Sequence, residues 1–252
     1  MEHAVMNTAQ RYPYTPPDQL MPMIPQLTGR VREALATPSS LRTTRRCVQH
    51  RVASDHAEHR PVLRGDPLIA VEALNAAARF TQGGANPRRH ALISAQLARA
   101  YAANGDASAA TRCLEQAAPS LEQATAPPSG LDFFDQARLS GIAGTCNLLM
   151  GRPEAAAGII SEALAQRSVA DLKGRALLTL DLASCLLNAG EVEEACRIAE
   201  SALDLASHSI VQPITIRARS LKAELQPWRE LGSVQGFTER VRANQPVTML
   251  EG

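Results

Sequence analysis

The sequence predicts an all-α fold made by stacking antiparallel helix pairs. Three observations carry this expectation. Aromatic residues are only 3% of the chain while alanine is heavily over-represented, a helical bias. A Gly–Ala–Ala spacing returns four times. No segment combines strand periodicity with hairpin turn chemistry. At 252 residues the chain is long enough for one large domain or two small ones.

The recurring spacing is Gly, five residues to Ala, then seven more to Ala. It appears at Gly65, Ala70, Ala77; at Gly105, Ala110, Ala117; at Gly151, Ala156, Ala163; and at Gly190, Ala195, Ala202. Successive glycines lie 40, 46 and 39 residues apart. A glycine just past a helix end supplies the left-handed conformation that a Cβ disfavours. Asp66-Pro67, Asp106, Pro153-Glu154 and Glu191 follow closely, and acids or proline suit the first turn of the next helix. Two alanines seven apart lie on one helical face and admit a close neighbour. The preceding helix has its own small position in Leu97-Ala98, Ala143-Gly144 and Leu182-Ala183, with Tyr101, Asn147 and Leu186 four residues before each glycine.

Apolar periodicity and punctuation place helices near 18–36, 39–50, 67–80, 87–104, 107–123, 133–150, 153–166, 171–189, 191–206, 213–226 and 234–243. Pro61 interrupts the segment before Gly65, and APPSG at 126–130 accounts for the longest interval as an exposed loop. Three regions follow: an N-terminal, partly irregular helical segment (1–64), the repeats (65–206), and capping helices with a tail (207–252).

LISAQLARAYAANGDASAATRCLEQAA resembles a tetratricopeptide repeat at its Leu-Ala, Tyr, Gly, Ala and Ala positions, and RALLTLDLASCLLNAGEVEEACRIAESALDLA matches nearly as well. SGIAGTCNLLMGRPEAAAGIISEALA departs at the Tyr position. The resemblance implies a right-handed superhelix whose first helices line a concave, protein- or peptide-binding surface. PITIRARSLKAELQPWRELGSVQGFTERVR, YTPPDQLMPMIPQLTGRVREAL and LRTTRRC widen it to the sensor half of actinobacterial helix-turn-helix regulators. Those regulators carry an N-terminal DNA-binding domain, for which the residues before 20 are too few. The resemblance therefore implies a sensor module alone, either a truncated regulator or a stand-alone relative with a possible separate DNA-binding partner, and no direct nucleic-acid contact is expected of it; a plain protein–protein scaffold is the alternative.

Charge and composition agree with a binding module. Net charge is +1, which argues against a broadly basic nucleic-acid surface, and so few aromatics disfavour base stacking. Only Lys173 and Lys222 are lysines, so the arginine excess reads as codon bias in a GC-rich genome rather than phosphate binding. Residues 1–64 are mildly basic, which solvated arginines explain. No run of about 20 apolar residues is present to span a bilayer, and the start lacks a signal-peptide pattern, so a cytoplasmic chain is expected. Cys47, Cys113, Cys146, Cys185 and Cys196 form no C-x-x-C pair and read as reduced, mostly buried thiols.

Cys47, His50, His56 and His59 could share faces as a zinc tetrahedron, but they match no tight finger spacing, and an ordinary surface segment is the plainer reading. Ser161 lacks a Gly-x-Ser-x-Gly elbow. Asp132 and Asp135 read as acids at a helix start, and Gly83-Gly84 as a turn without the Lys-Ser/Thr of a phosphate loop. Hence no catalytic set, cofactor or metal is expected. The groove candidates are Arg99, Arg138, Thr145, Asn147, Ser184 and Asn188, since Asn can bond a peptide backbone through donor and acceptor and Arg can grip a carboxylate bidentately. Solvated or intrahelical pairing is their plainer reading. Trp228 is expected to pack over the apolar end of the stack, because solenoids need caps; an end left uncapped would allow a homo-oligomer.

Overall fold

The computed structural model describes residues 67–81, 86–128, 132–207 and 211–244. Gly65, Gly83, Gly84 and the Cys47, His50, His56, His59 group fall outside them, as do the helices expected at 18–36 and 39–50. Nine α-helices and one short 3-10 turn are found among the described residues, with no strand. They are α1 (Pro67–Thr81), α2 (Pro87–Ala103), α3 (Ala107–Glu122), α4 (Gln136–Leu149), α5 (Pro153–Gln166), α6 (Leu172–Asn188), α7 (Val192–Leu205), α8 (Gln212–Glu224) and α9 (Gly232–Ala243), the turn being Gln226–Trp228.

Local chemistry sets the boundaries. Asn86, Asp106, Asp135 and Asp171 cap α2, α3, α4 and α6, each accepting the backbone N–H three residues on, from Arg89, Ala109, Arg138 and Gly174 at 2.9–3.0 Å. Gly105, Gly151 and Gly190 have φ of +82°, +72° and +84°, the region that only glycine enters freely. The residue after each glycine then donates its N–H back to the carbonyl of Tyr101, Asn147 or Leu186 at 2.9–3.0 Å. This six-residue closure satisfies a helix-end carbonyl and reverses the chain. The shared position four before each glycine is thus a backbone acceptor, which explains why its side chain varies.

The helices pair in sequence as α2/α3, α4/α5, α6/α7 and α8/α9, and α2, α4, α6 and α8 also pack side by side in that order. We call α2, α4, α6 and α8 the first helices. The repeated alanines sit where helices touch: Ala110, Ala117, Ala156, Ala163, Ala195 and Ala202 are all fully buried. Ala98 and Ala183 are likewise buried on the first helices. Ala70 and Ala77 occupy the matching places on α1.

At the third small position a Cβ added to Gly144 would stand 2.5 Å from Ile160 Cγ1, on a side chain that is itself fully buried. Overpacking costs about 1–3 kcal/mol, against a helix-propensity gain of about 1 kcal/mol. Gly144→Ala should therefore be destabilising by chemical denaturation, and its cost should be smaller in an Ile160→Ala background, which lacks the Cγ1 atom. A stabilised Gly144→Ala would show that α4 and α5 are not in close contact there.

Three helix bounds fall two or three residues from those expected. Helix α4 starts at Gln136 rather than 133 because Asp135 turns out as its N-cap, and Asp132 instead pairs with Arg89 at 2.8 Å. Helix α8 stops at Glu224, since Pro227 has no N–H to continue it, and α9 begins two residues earlier than expected. The loop after α3 is exposed at 125–128 as expected, and it is anchored as well: buried Arg88 donates to the carbonyls of Phe134 at 2.6 Å and of Ala126.

Trp228 also departs from expectation. It lies on the 3-10 turn and is 38% exposed. The end of the stack is instead filled by Ile214, Leu221, Leu225, Val234, Phe237 and Val241, which join α6 and α7 in one apolar cluster. Pro119 lies inside α3 without ending it; the carbonyl it leaves unpaired belongs to exposed Glu115, where water can serve it.

Candidate functional site on the first helices

Because the first helices pack in order, side chains from four helix pairs meet on one face. Asp181 is the hub. It is 5% exposed, in the middle of the Leu-rich helix α6. Its Oδ1 accepts from Arg217 Nε of α8 at 2.6 Å and its Oδ2 from Thr145 Oγ1 of α4 at 2.6 Å. Thr145 has one hydroxyl hydrogen, and Asp181 is a closer and charged acceptor than the Gly141 carbonyl at 3.1 Å. Three first helices are therefore tied through one carboxylate.

Arg99 of α2 completes the group from the other side. Its Nε is shut off from solvent and finds no hydrogen-bond partner among the described residues. Burial, and then the like charge of Arg217, bring its pKa down to about 10, while Cys146 and Asp181 act in the opposite sense. It remains a cation at neutral pH. One turn earlier on α2, Gln96 Oε1 is also buried without a partner.

The expected groove residues divide into two sets. Thr145 and Arg99 come together at this hub. Arg138 does not: it spans the start of α4, pairing with its own cap Asp135 and with Asp171 at 3.1 Å, and it stacks over Phe133 at 5.2 Å. Asp171, the cap of α6, also accepts from Arg167 Nε at 2.8 Å. Arg138 thus belongs to a latch between repeats. Asn147 and Asn188 donate to the carbonyls four residues back, Ala143 at 2.9 Å and Ser184 at 2.8 Å, so each keeps its Oδ1 as the group free to turn outward. Ser184 is half-buried and Asn188 exposed.

Sequence reasoning missed Asp181, Arg217 and Gln96. The signal for Asp181 was present, because a carboxylate inside LLTLDLASCLL cannot be buried without charged or hydrogen-bonding partners. Nothing local marks Arg217, whose role comes from where α8 is packed.

The described cysteines are held as thiols. Burial pushes the Cys146 thiol up to about 12, against the pull of Arg99. Cys185 is raised to about 11, also chiefly by burial, and Cys113 and Cys196 are raised for the same reason. All four are free and buried, so none supplies a thiolate nucleophile at neutral pH. Among the described residues no three potential metal ligands cluster, and no described helix is long and apolar enough to cross a membrane.

No protein-family model matches the chain, and no curated protein matches it. Among solved structures it is similar to crystal structures of the nearly identical TPR-like repeats of a Podosopora anserina putative kinesin light chain. A single-substitution form of that protein shares 18% identity at a TM-score of 0.46, covering 79% of this chain and 93% of that one. A second structure gives 18% and 0.44, covering 82% and 96%.

Proposed function

We propose that the chain is a non-enzymatic module that binds a protein or peptide segment along the face of its first helices. One observation carries this reading: Arg99, Thr145, Asp181 and Arg217, from four successive first helices, form a polar group on helices whose buried positions are mostly small or apolar. Buried polar groups are costly in a core that needs none, and here they lie where several repeats can touch one ligand. Ser184 and Asn188 extend the same helices outward and would meet the ligand's backbone.

We assign the module to the sensing side of a transcriptional regulatory system. Support comes from the likeness of the 213–242 and 14–35 stretches to the sensor half of helix-turn-helix regulators. Ligand binding then shifts the population of conformations of the stack, which a DNA-binding domain or partner would read. The chain alone should leave genomic DNA fragments unshifted in electrophoresis; tight sequence-specific binding would overturn this assignment. A scaffold without a sensing role would bind its segment with no change in the exchange or spectroscopic signature of the helices away from it.

The binding reading is tested on an immobilised array of random-sequence peptides. A subset should bind with a Kd of about 1–100 μM. Substituting Arg99 and Asn188 together should abolish that binding and leave the melting temperature in place. No bound peptide, or equal binding by the double variant, contradicts the proposal.

A further inference from the structure

We infer that the cavity between α1 and α3 is a second site, which takes a small, elongated organic oxyanion. It lies on the other side of α2 from Arg99 and does not rest on the binding reading above.

The first ground is the cavity itself. Both α1 and α3 pack against α2, and the three helices enclose a space of about 330 Å³, within the range of small-molecule pockets. Its floor is a stripe of α2: His90, Ser94, Leu97 and Tyr101, at the i, i+4, i+7 and i+11 spacing of one helical face. Arg99 follows Leu97 by two residues, about 200° around the helix. The cavity and the proposed peptide face are therefore on opposite sides of α2. From His90 to Tyr101 the stripe runs about 16 Å, so the space is a slot rather than a sphere. Ala78 and Ala109 stand on its α1 and α3 walls, where small side chains leave it open.

The second ground is the chemistry of the lining. Arg112, exposed on α3, is a cation on one wall, and no carboxylate lines the slot. Cys113 beside it is a neutral thiol, raised by burial. The acid that Cys113 feels, Asp106, caps α3 through the Ala109 N–H at 2.9 Å. Ser94 is 2% exposed, and its hydroxyl has no hydrogen-bond partner among the described residues. Tyr101 Oη accepts from Asn75 Nδ2 at 3.3 Å and keeps its own hydrogen to give. Arg112 commits Nη1 to Ser108 Oγ at 2.6 Å, which leaves Nη2 and Nε for an oxyanion. One cation and two uncommitted hydroxyl donors, with no acid, select an anion.

The two ends of the slot differ. Since α2 and α3 run antiparallel about Gly105, Arg112 and Tyr101 share the end near that turn and His90 lies at the far end. Thr81 Oγ1 gives its one hydrogen to the Ala78 carbonyl at 3.0 Å, so His90 Nδ1–H donates to Thr81 at 2.9 Å and Nε2 is left as an acceptor. The slot thus calls for an oxyanion near Arg112, an apolar middle over Leu97, and an O–H or N–H that reaches His90.

Nitrogen–proton correlation spectra of the full chain test this on the side-chain amides of Asn75 and Gln116, which also line the slot. Their signals are those lost in Asn75→Asp and Gln116→Glu. The probes are para-hydroxyphenylpropionate and para-hydroxyphenylethyl phosphate, with para-hydroxyphenylpropionamide as the neutral control. At least one anion should shift both signals saturably with a Kd of about 0.1–10 mM, and the tighter of the two names the source, carboxylate or phosphate. The neutral amide should bind about tenfold more weakly or worse. Arg112→Glu, at an exposed position, should keep the melting temperature and lower anion affinity about tenfold or more. The double variant at Arg99 and Asn188 should bind the probes as the natural chain does. No saturable shift from either anion up to about 20 mM, equal affinity for the amide, or undiminished affinity in Arg112→Glu overturns the inference. Loss of probe binding in the double variant would put the probes on the first-helix face and overturn it as well. Array peptides that fail to bind would remove the peptide reading and leave this site standing.

Discussion

Replacing Asp181 with alanine should lower the unfolding free energy by about 3–5 kcal/mol, the range for removing one partner of a buried ion pair. The substitution strips Arg217 of the acceptor for its Nε and Thr145 of its shorter hydrogen bond. It also leaves two guanidiniums near one another with no carboxylate between them. Against a total stability of about 5–15 kcal/mol for an ordinary domain, that is a large fraction. Asp181→Asn, which keeps the shape and one acceptor, should lose less. The double change Asp181→Leu with Arg217→Met should lose least, because an apolar pair in place of a buried ion pair is often neutral. Denaturant midpoints at constant slope give all three values. An alanine variant within about 1 kcal/mol of the natural chain would show that Asp181 is solvated, not a hub.

Phe237→Ala should be the other severe change, by about 3–5 kcal/mol. Phe237 is fully buried on α9, among the residues that close the stack beyond α6 and α7. In a stack whose units touch only their neighbours, the end unit has one interface to hold it. A cavity there should unfold α8 and α9 first and expose Leu203 and Ala206 behind them. Trp228→Ala, at the exposed 3-10 turn, should change stability by no more than about 1 kcal/mol. The contrast is measured by thermal melting together with hydrogen exchange of α8 and α9. Equal losses at the two positions would mean that Trp228, not Phe237, closes the end.

That pair of substitutions also marks how far the sequence was legible. Helix positions were most readable at the α2/α3, α4/α5 and α6/α7 turns, where three signals coincide: a Gly in the left-handed region, an Asp, Glu or Pro opening the next helix, and small residues where helices cross. Gly105, Gly151 and Gly190 each take the backbone conformation that their spacing implies. Composition could not say which large residue would fill the end of the stack. The lone tryptophan drew attention by rarity, yet Pro227 turns the chain so that Leu225 enters the core and Trp228 does not. The fold was written in local chemistry, whereas the cap depended on one turn.

The site was less legible for a related reason. Arg99 and Thr145 could be named from helix periodicity alone, since both lie on first-helix positions that do not face the second helices. Arg138 shared that periodicity but lies within reach of Asp135 and Asp171, two helix caps that claim it. Asp181 and Arg217 meet only because α6 and α8 are stacked, a contact between residues 36 positions apart. Pairings of that kind follow from packing and leave no mark in either segment read by itself.

The most direct test of the binding face is hydrogen–deuterium exchange on the full chain, with and without the tightest peptide selected on the array. Slowed exchange should fall on α2, α4, α6 and α8, strongest around Arg99, Asp181 and Arg217, with α3, α5 and α7 little changed. Protection centred on α3, α5 and α7, with the first helices unaltered, would place the ligand on the opposite side of the stack and contradict the site proposed for it.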